Sequence, residues 1–173
     1  MSRQIVNIAD IELQPRPPAY APTGAAAERY DAQVGMIGPR IGARLLGYNI
    51  TSVAPGKRAY PFHNHLANEE MFFVLSGTGE IRIGDEVHPI RQGDFIACPP
   101  GGADTAHQII NSGSEELRYL ALSTRQSPEI AEYPDTGAFG VIAVRPSEAD
   151  GKPRGMLMHI GREGEGLDYW SNT

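Results

Sequence analysis

Between residues 45 and 123 the chain consists of short apolar or alternating runs separated by Gly and Pro, with almost no helical periodicity. The runs are 45–53, 71–75, 80–83, 87–90, 94–98, 107–111 and 117–123. Segments this short and this closely spaced predict strands. A parallel sheet needs a crossover of about a dozen residues or more between neighbouring strands, and the gaps here are too short. An antiparallel sandwich or barrel satisfies the spacing. Gly84-Asp85, between the runs at 80–83 and 86–90, is expected to close a two-residue hairpin.

The flanks read differently. Residues 1–39 are rich in Pro, Ala and Gly, including Pro15-Arg-Pro-Pro18 and Gly24-Ala-Ala-Ala27. They predict an irregular N-terminal arm with one short helical turn near residues 25–30. Residues 40–125 form the predicted β-barrel, and residues 126–173 a Gly- and Pro-rich C-terminal extension. Strand-like stretches at 140–144 and 156–160 are expected to add to a sheet edge or cross to a partner subunit. Open edges of this kind predict a homodimer.

With 15 Lys and Arg against 21 Asp and Glu, the net charge is -6. That balance argues against nonspecific attraction to nucleic acid or to an anionic membrane. The first residues carry no apolar core of signal-peptide length and no segment approaches a membrane span, so a cytoplasmic location is expected. Cys98 is the only cysteine, which excludes an intrachain disulfide. No His or basic residue neighbours it, and it reads as a small buried hydrophobe.

The chemistry concentrates in Pro61-Phe-His-Asn-His-Leu-Ala-Asn-Glu-Glu70. On an extended segment His63 and His65 point to the same side and Asn64 to the other. A turn over 66–68 would bring the chain back antiparallel, with Glu70, Phe72 and Val74 on one face. A carboxylate on an otherwise apolar strand face is costly to bury unless a cation neutralises it. His107 opens another strand-like run, so His63, His65, Glu70 and His107 are the candidate ligands of one divalent metal. Glu69 competes with Glu70, but alternation puts it on the opposite face. Three neutral imidazoles and one carboxylate leave such an ion a net charge near +1, and octahedral coordination would leave two open positions. The donors are of intermediate hardness, so Zn, Fe, Mn, Ni and Cu all suit them.

These residues also carry a family resemblance. Gly56, His63, His65, Glu70 and Gly77 follow the first motif of the cupins, with one additional residue between Gly56 and His63. Gly93, Pro99, Gly101, His107 and Asn111 follow the second, in which the interval from Gly101 to His107 is three residues longer than the usual pattern. The chain resembles a cupin over about residues 44–123. The resemblance implies an all-β double-stranded β-helix, or jelly-roll barrel, with the four residues above as its metal ligands.

Among small cupins the chain resembles those labelled sugar-phosphate isomerase-like, which implies an enzyme acting on a small polar or anionic metabolite. An Fe(II)-dependent dioxygenase and a noncatalytic small-molecule sensor are the alternatives. Phe72, Val74 and Ile109 are expected to wall the pocket. Arg58 and Tyr60 are the candidates to anchor substrate or transfer a proton. Gln108 alternates with His107 and is expected to face away from the site. His88 is expected at the surface, Asp94 in a turn, and Asn111 as a strand-end hydrogen-bonding group.

Overall fold

A computed structural model describes residues 4–144 and 155–172. Its strands are β1 (Gln14–Pro15), β2 (Ala32–Met36), β3 (Leu46–Val53), β4 (Asn64–His65), β5 (Glu70–Ser76), β6 (Thr78–Ile83) and β7 (Glu86–Arg91). They continue as β8 (Phe95–Cys98), β9 (His107–Ile110), β10 (Leu117–Thr124), β11 (Glu129–Tyr133), β12 (Ala138–Val144) and β13 (Met156–Arg162). The sheet orders are β1-β2-β3-β10-β5-β8, β13-β12-β11-β4 and β7-β6-β9, with antiparallel pairing throughout. His63 and His107 form a separate antiparallel bridge, exchanging backbone N–H···O bonds of 3.2 and 2.8 Å. That bridge joins the edges of the two smaller sheets.

The core lies between the six-stranded and three-stranded sheets, as in a jelly-roll sandwich. Val53, Phe72, Val74, Leu117 and Tyr119 come from the first sheet, and Ile81, Ile90 and Ile109 from the second. Strand β10 shows why: Leu117, Tyr119 and Ala121 are buried while Arg118, Leu120 and Leu122 between them are less so. An alternating sequence can satisfy both a core and a wetter face only as a strand. The expected hairpin is present, with Ile83 paired to Glu86 and Gly84 at φ 53°. A Cβ at Gly84 would lie 2.9 Å from the Asp104 carbonyl oxygen, so the turn needs glycine for space as well as for φ.

Strands β1, β2, β4 and β11 fall where no run was expected. Strand β2 lies inside the N-terminal segment read as irregular, and it pairs with β3 over its full length. Its Gly35 reads as a breaker in sequence, yet a Cβ there would sit 2.4 Å from Ile11 Cγ2. The glycine lets the preceding arm lie across the strand. Strand β11, in the C-terminal segment, pairs with both β4 and β12. Its two glutamates concealed it, because acids are rare in strands. The short helix α1 (Ala25–Arg29) and strands β12 and β13 occur where expected. Met156, Leu157, Met158 and Ile160 of β13 are exposed. Among the described residues no helix is long and apolar enough to cross a membrane.

Candidate metal centre

The two layers of the sandwich supply different parts of one cluster. His63, His65 and His107 sit where the two smaller sheets meet, and Glu70 begins β5 in the six-stranded sheet, paired with Ser123 and Cys98. Alternation sets the side chains as expected. Asn64, between the two histidines, turns away and is fully buried, with its Nδ2 donating to Gly101 O at 2.7 Å and to Glu132 Oε2 at 2.8 Å. Glu69 is exposed, and Glu70 points inward.

Three imidazole Nε2 atoms converge on one carboxylate oxygen. Glu70 Oε2 lies 3.1 Å from His107 Nε2, 3.4 Å from His65 Nε2 and 3.9 Å from His63 Nε2. Ligand atoms of His63, Glu70 and His107 all lie within 4.8 Å of one another. His65 joins them through Glu70, its ring centroid 5.0 Å from that of His63 and 6.3 Å from that of His107.

The far side of each ring is also held. His63 Nδ1 lies 2.8 Å from Pro61 O and His107 Nδ1 lies 3.3 Å from Thr105 O. A carbonyl only accepts, so in both rings Nδ1 carries a hydrogen and Nε2 is the nitrogen turned toward the centre. Burial, reinforced by His107, pushes His63 down to about 4, so it stays neutral near pH 7. Burial alone would raise Glu70, but hydrogen bonds to His107 and His65 outweigh it and hold the carboxyl well below its usual range. Burial lowers His65 and the neighbouring Glu70 and Glu129 carboxylates more than offset this, for a net rise. An ionised carboxylate among three imidazole nitrogens is the donor set of a divalent transition ion, and the cluster is compatible with one.

Glu129 is a functional candidate that strand periodicity did not reveal. It is 5% exposed, and its Oε1 lies 3.8 Å from His65 Nδ1, a buried ring nitrogen with no hydrogen-bond partner. The backbone N–H groups of Leu66 and Ala67 and the Asn68 amide donate to the same carboxylate. A carboxylate behind a ligating imidazole orients it and raises its basicity. Glu129→Gln is therefore expected to weaken metal binding by about 10–100-fold. Chelator competition measures this, and an unchanged affinity would take Glu129 out of the site.

The cluster faces a cavity of about 300 Å³ walled by Phe72, Ile109 and Ala121, while Val74 lies deeper in the core. Tyr60 borders it with its ring 6.3 Å from His63, and Tyr133, absent from the sequence reading, stacks on His63 at the same centroid distance. Arg58 is outside the lining, and its backbone bridges Tyr30 and Ile110. Gln108 departs from the expectation that it faces away: it is buried, borders the cavity and donates to Tyr60 O at 2.8 Å. Its amide is held by the backbone at Tyr60, which borders the same cavity. Cys98 is buried, and burial, with the Glu70 charge behind it, pushes the thiol up to about 12, which leaves it inert as a nucleophile. His88 is exposed beside Glu86, Asp94 accepts from the Arg91 N–H, and Asn111 bonds Val53 O, Glu115 O and the Gly113 N–H.

With the sandwich and its His/Glu cluster in place, comparison with known proteins locates the family. The cupin domain family matches residues 49–123. This chain carries a cupin domain.

The whole chain resembles solved cupin structures. A sugar phosphate isomerase from a cupin superfamily, from Silicibacter pomeroyi, superposes with a TM-score of 0.73 at 22% identity, covering 95% of this chain and 97% of that one. A proposed sugar phosphate isomerase of Acidithiobacillus ferrooxidans gives the same TM-score and identity over 96% of both chains. At that identity the likeness establishes the fold. Auxin-binding protein 1 of Arabidopsis thaliana is 33% identical over 93 residues, 50% of this chain and 46% of that protein. The chain spans about half the length of the curated relatives it matches.

Proposed function

We propose that this cupin is a metal-dependent enzyme acting on a small polar or anionic metabolite, and that its reaction is the isomerisation of a hydroxy-carbonyl compound of the sugar-phosphate kind. The convergence of three imidazole Nε2 atoms on Glu70 Oε2 beside a cavity of about 300 Å³ carries the reading. Similarity over nearly the full chain to proteins described as sugar phosphate isomerases supports the choice of reaction.

His63, His65, Glu70 and His107 would hold the ion. When bound, a divalent ion supplies Lewis-acid polarisation of a carbonyl or hydroxyl oxygen. The remaining residues serve the substrate. Phe72, Ile109 and Ala121 give the cavity an apolar wall that excludes water and strengthens polar contacts inside it. The phenols of Tyr60 and Tyr133 flank His63 and offer hydrogen bonds, and a proton, to a substrate oxygen placed there.

The test is the metal content of the purified protein, then sugar-phosphate interconversion and oxygen uptake with and without a chelator. Interconversion that disappears with the metal is the expected result. Substrate-dependent oxygen consumption by an iron-loaded protein would replace the isomerase with a dioxygenase. Tight ligand binding without turnover under any metal would make the chain a sensor.

A further inference from the structure

A second cavity, of about 440 Å³, shares His65, Glu70 and Ile142 with the first, so those residues form a wall between the two. It has an apolar side, formed by Ile142, Val144 and Met156, and a cationic one. Arg44, Arg125, Ser123 and Thr124 border it, where the first cavity has aromatic and aliphatic walls.

The β3–β10 ladder brings the backbones of the two arginines to one end of the sheet. Its register ends at Leu46 opposite Thr124, and one further bond runs from the Arg125 N–H to Leu45 O at 3.0 Å. Arg125 is thus opposite Leu45, and Arg44 stands in the bend that leads into β3, so both border the cavity. By alternation Arg125 follows Tyr119, Ala121 and Ser123 on the inner face of β10. Gly47, opposite Ser123, leaves room for it: a Cβ there would stand 3.0 Å from Ser123 Oγ and 3.8 Å from Arg125 Cγ. Ser123 is paired with Glu70, so Arg125 begins about 7 Å of strand away from the metal ligand.

Both guanidinium groups are exposed, and neither has a carboxylate partner among the described residues. The two carboxylates that border this cavity are engaged elsewhere. Glu129 accepts from Leu66, Ala67 and Asn68, and Glu70 faces the imidazoles. Two guanidiniums without a carboxylate partner among the described residues, bordering one cavity with the Ser123 and Thr124 hydroxyls, suit the planar or tetrahedral oxygens of an anion.

We propose that Arg44 and Arg125 form an oxyanion subsite that holds the phosphate or carboxylate tail of a substrate whose other end reaches the His/Glu cluster. The second half of that statement rests on the reading of the cluster as the reacting end. Oxyanion capture by the arginines stands by itself. The substrate class is then a short hydroxylated chain with an anionic group at the end remote from the metal.

Calorimetric titration with inorganic phosphate, a pentose 5-phosphate, the free pentose and the corresponding pentonate separates the sources of the anion. The phosphate ester or the pentonate is expected to bind more tightly than the free sugar, and whichever shows the advantage names the tail. Arg44→Gln and Arg125→Gln should each weaken inorganic phosphate by about tenfold or more, with metal content unchanged. Arg→Lys variants should recover part of the loss. Phosphate binding that survives the double Gln variant, or that disappears with the metal in Glu70→Ala, would place the anion on the ion and overturn the subsite. Arginine-dependent binding in a protein that never holds metal would keep the subsite and overturn the metal reading.

Discussion

Glu70→Ala is expected to lower divalent-metal affinity by more than about 100-fold, beyond the about 10–100-fold typical of residues that only support a ligand. Glu70 is the single carboxylate on which the three Nε2 atoms converge, at 3.1, 3.4 and 3.9 Å. Without it, a dication would sit among imidazoles in a half-buried site with no carboxylate in contact with it, and poorly compensated charge away from water is strongly disfavoured. Glu70→Gln keeps the shape and removes only the charge, so it should show most of the loss. Glu69→Ala should bind metal as the parent does, because Glu69 is exposed on the other face.

Metal analysis after dialysis reads all three variants, with circular dichroism to show that each is folded. Full occupancy in Glu70→Ala would end the assignment. Acidification should act in the same direction. Metal requires deprotonated ligands, and His65, held above its ordinary value by the carboxylates on either side despite its burial, takes up a proton before His63, which burial holds near 4.

The largest effect on stability is expected at Tyr119. Its side chain is 1% exposed in the middle of β10, between Thr51 of β3 and Val74 of β5, and its ring meets Phe72 edge-on at 5.5 Å. Tyr119→Ala removes a buried aromatic ring and leaves a void that the ladders on both sides cannot close. A loss of about 3–5 kcal/mol follows, part of it the about 0.5–1.5 kcal/mol of the aromatic pair. Tyr119→Phe keeps the ring and removes only the phenolic hydroxyl, for about 1 kcal/mol. Urea denaturation measures both. A loss under about 1 kcal/mol in the Ala variant would mean that the core relaxes around the site.

Much of this protein was legible in its sequence, for two separate reasons. Short apolar or alternating runs between Gly and Pro mark strands, and those seen as β3 and β5 to β10 have that form. His63, His65 and Glu70 are local in sequence, so the same alternation that builds the strands also aims their side chains. The elements that escaped were those whose signal is not periodic. Gly35 conceals β2 because its purpose is to admit Ile11, and Glu129 and Glu132 conceal β11 because their partners lie on β4 and the turn that follows it. Burial of those acids is satisfied by hydrogen bonds that no local pattern announces.

The sequence by itself determined the antiparallel fold, the Glu70 face and the imidazoles available to it, because alternation and charge burial act within a few residues. Tertiary structure decided what depends on strand order. It brought His107 across a bridge to His63, set Glu129 behind His65, put Tyr133 against the cluster, and brought Arg44 and Arg125 to one cavity. Those meetings join residues far apart in the chain, and only the closing of sheets on one another makes them neighbours.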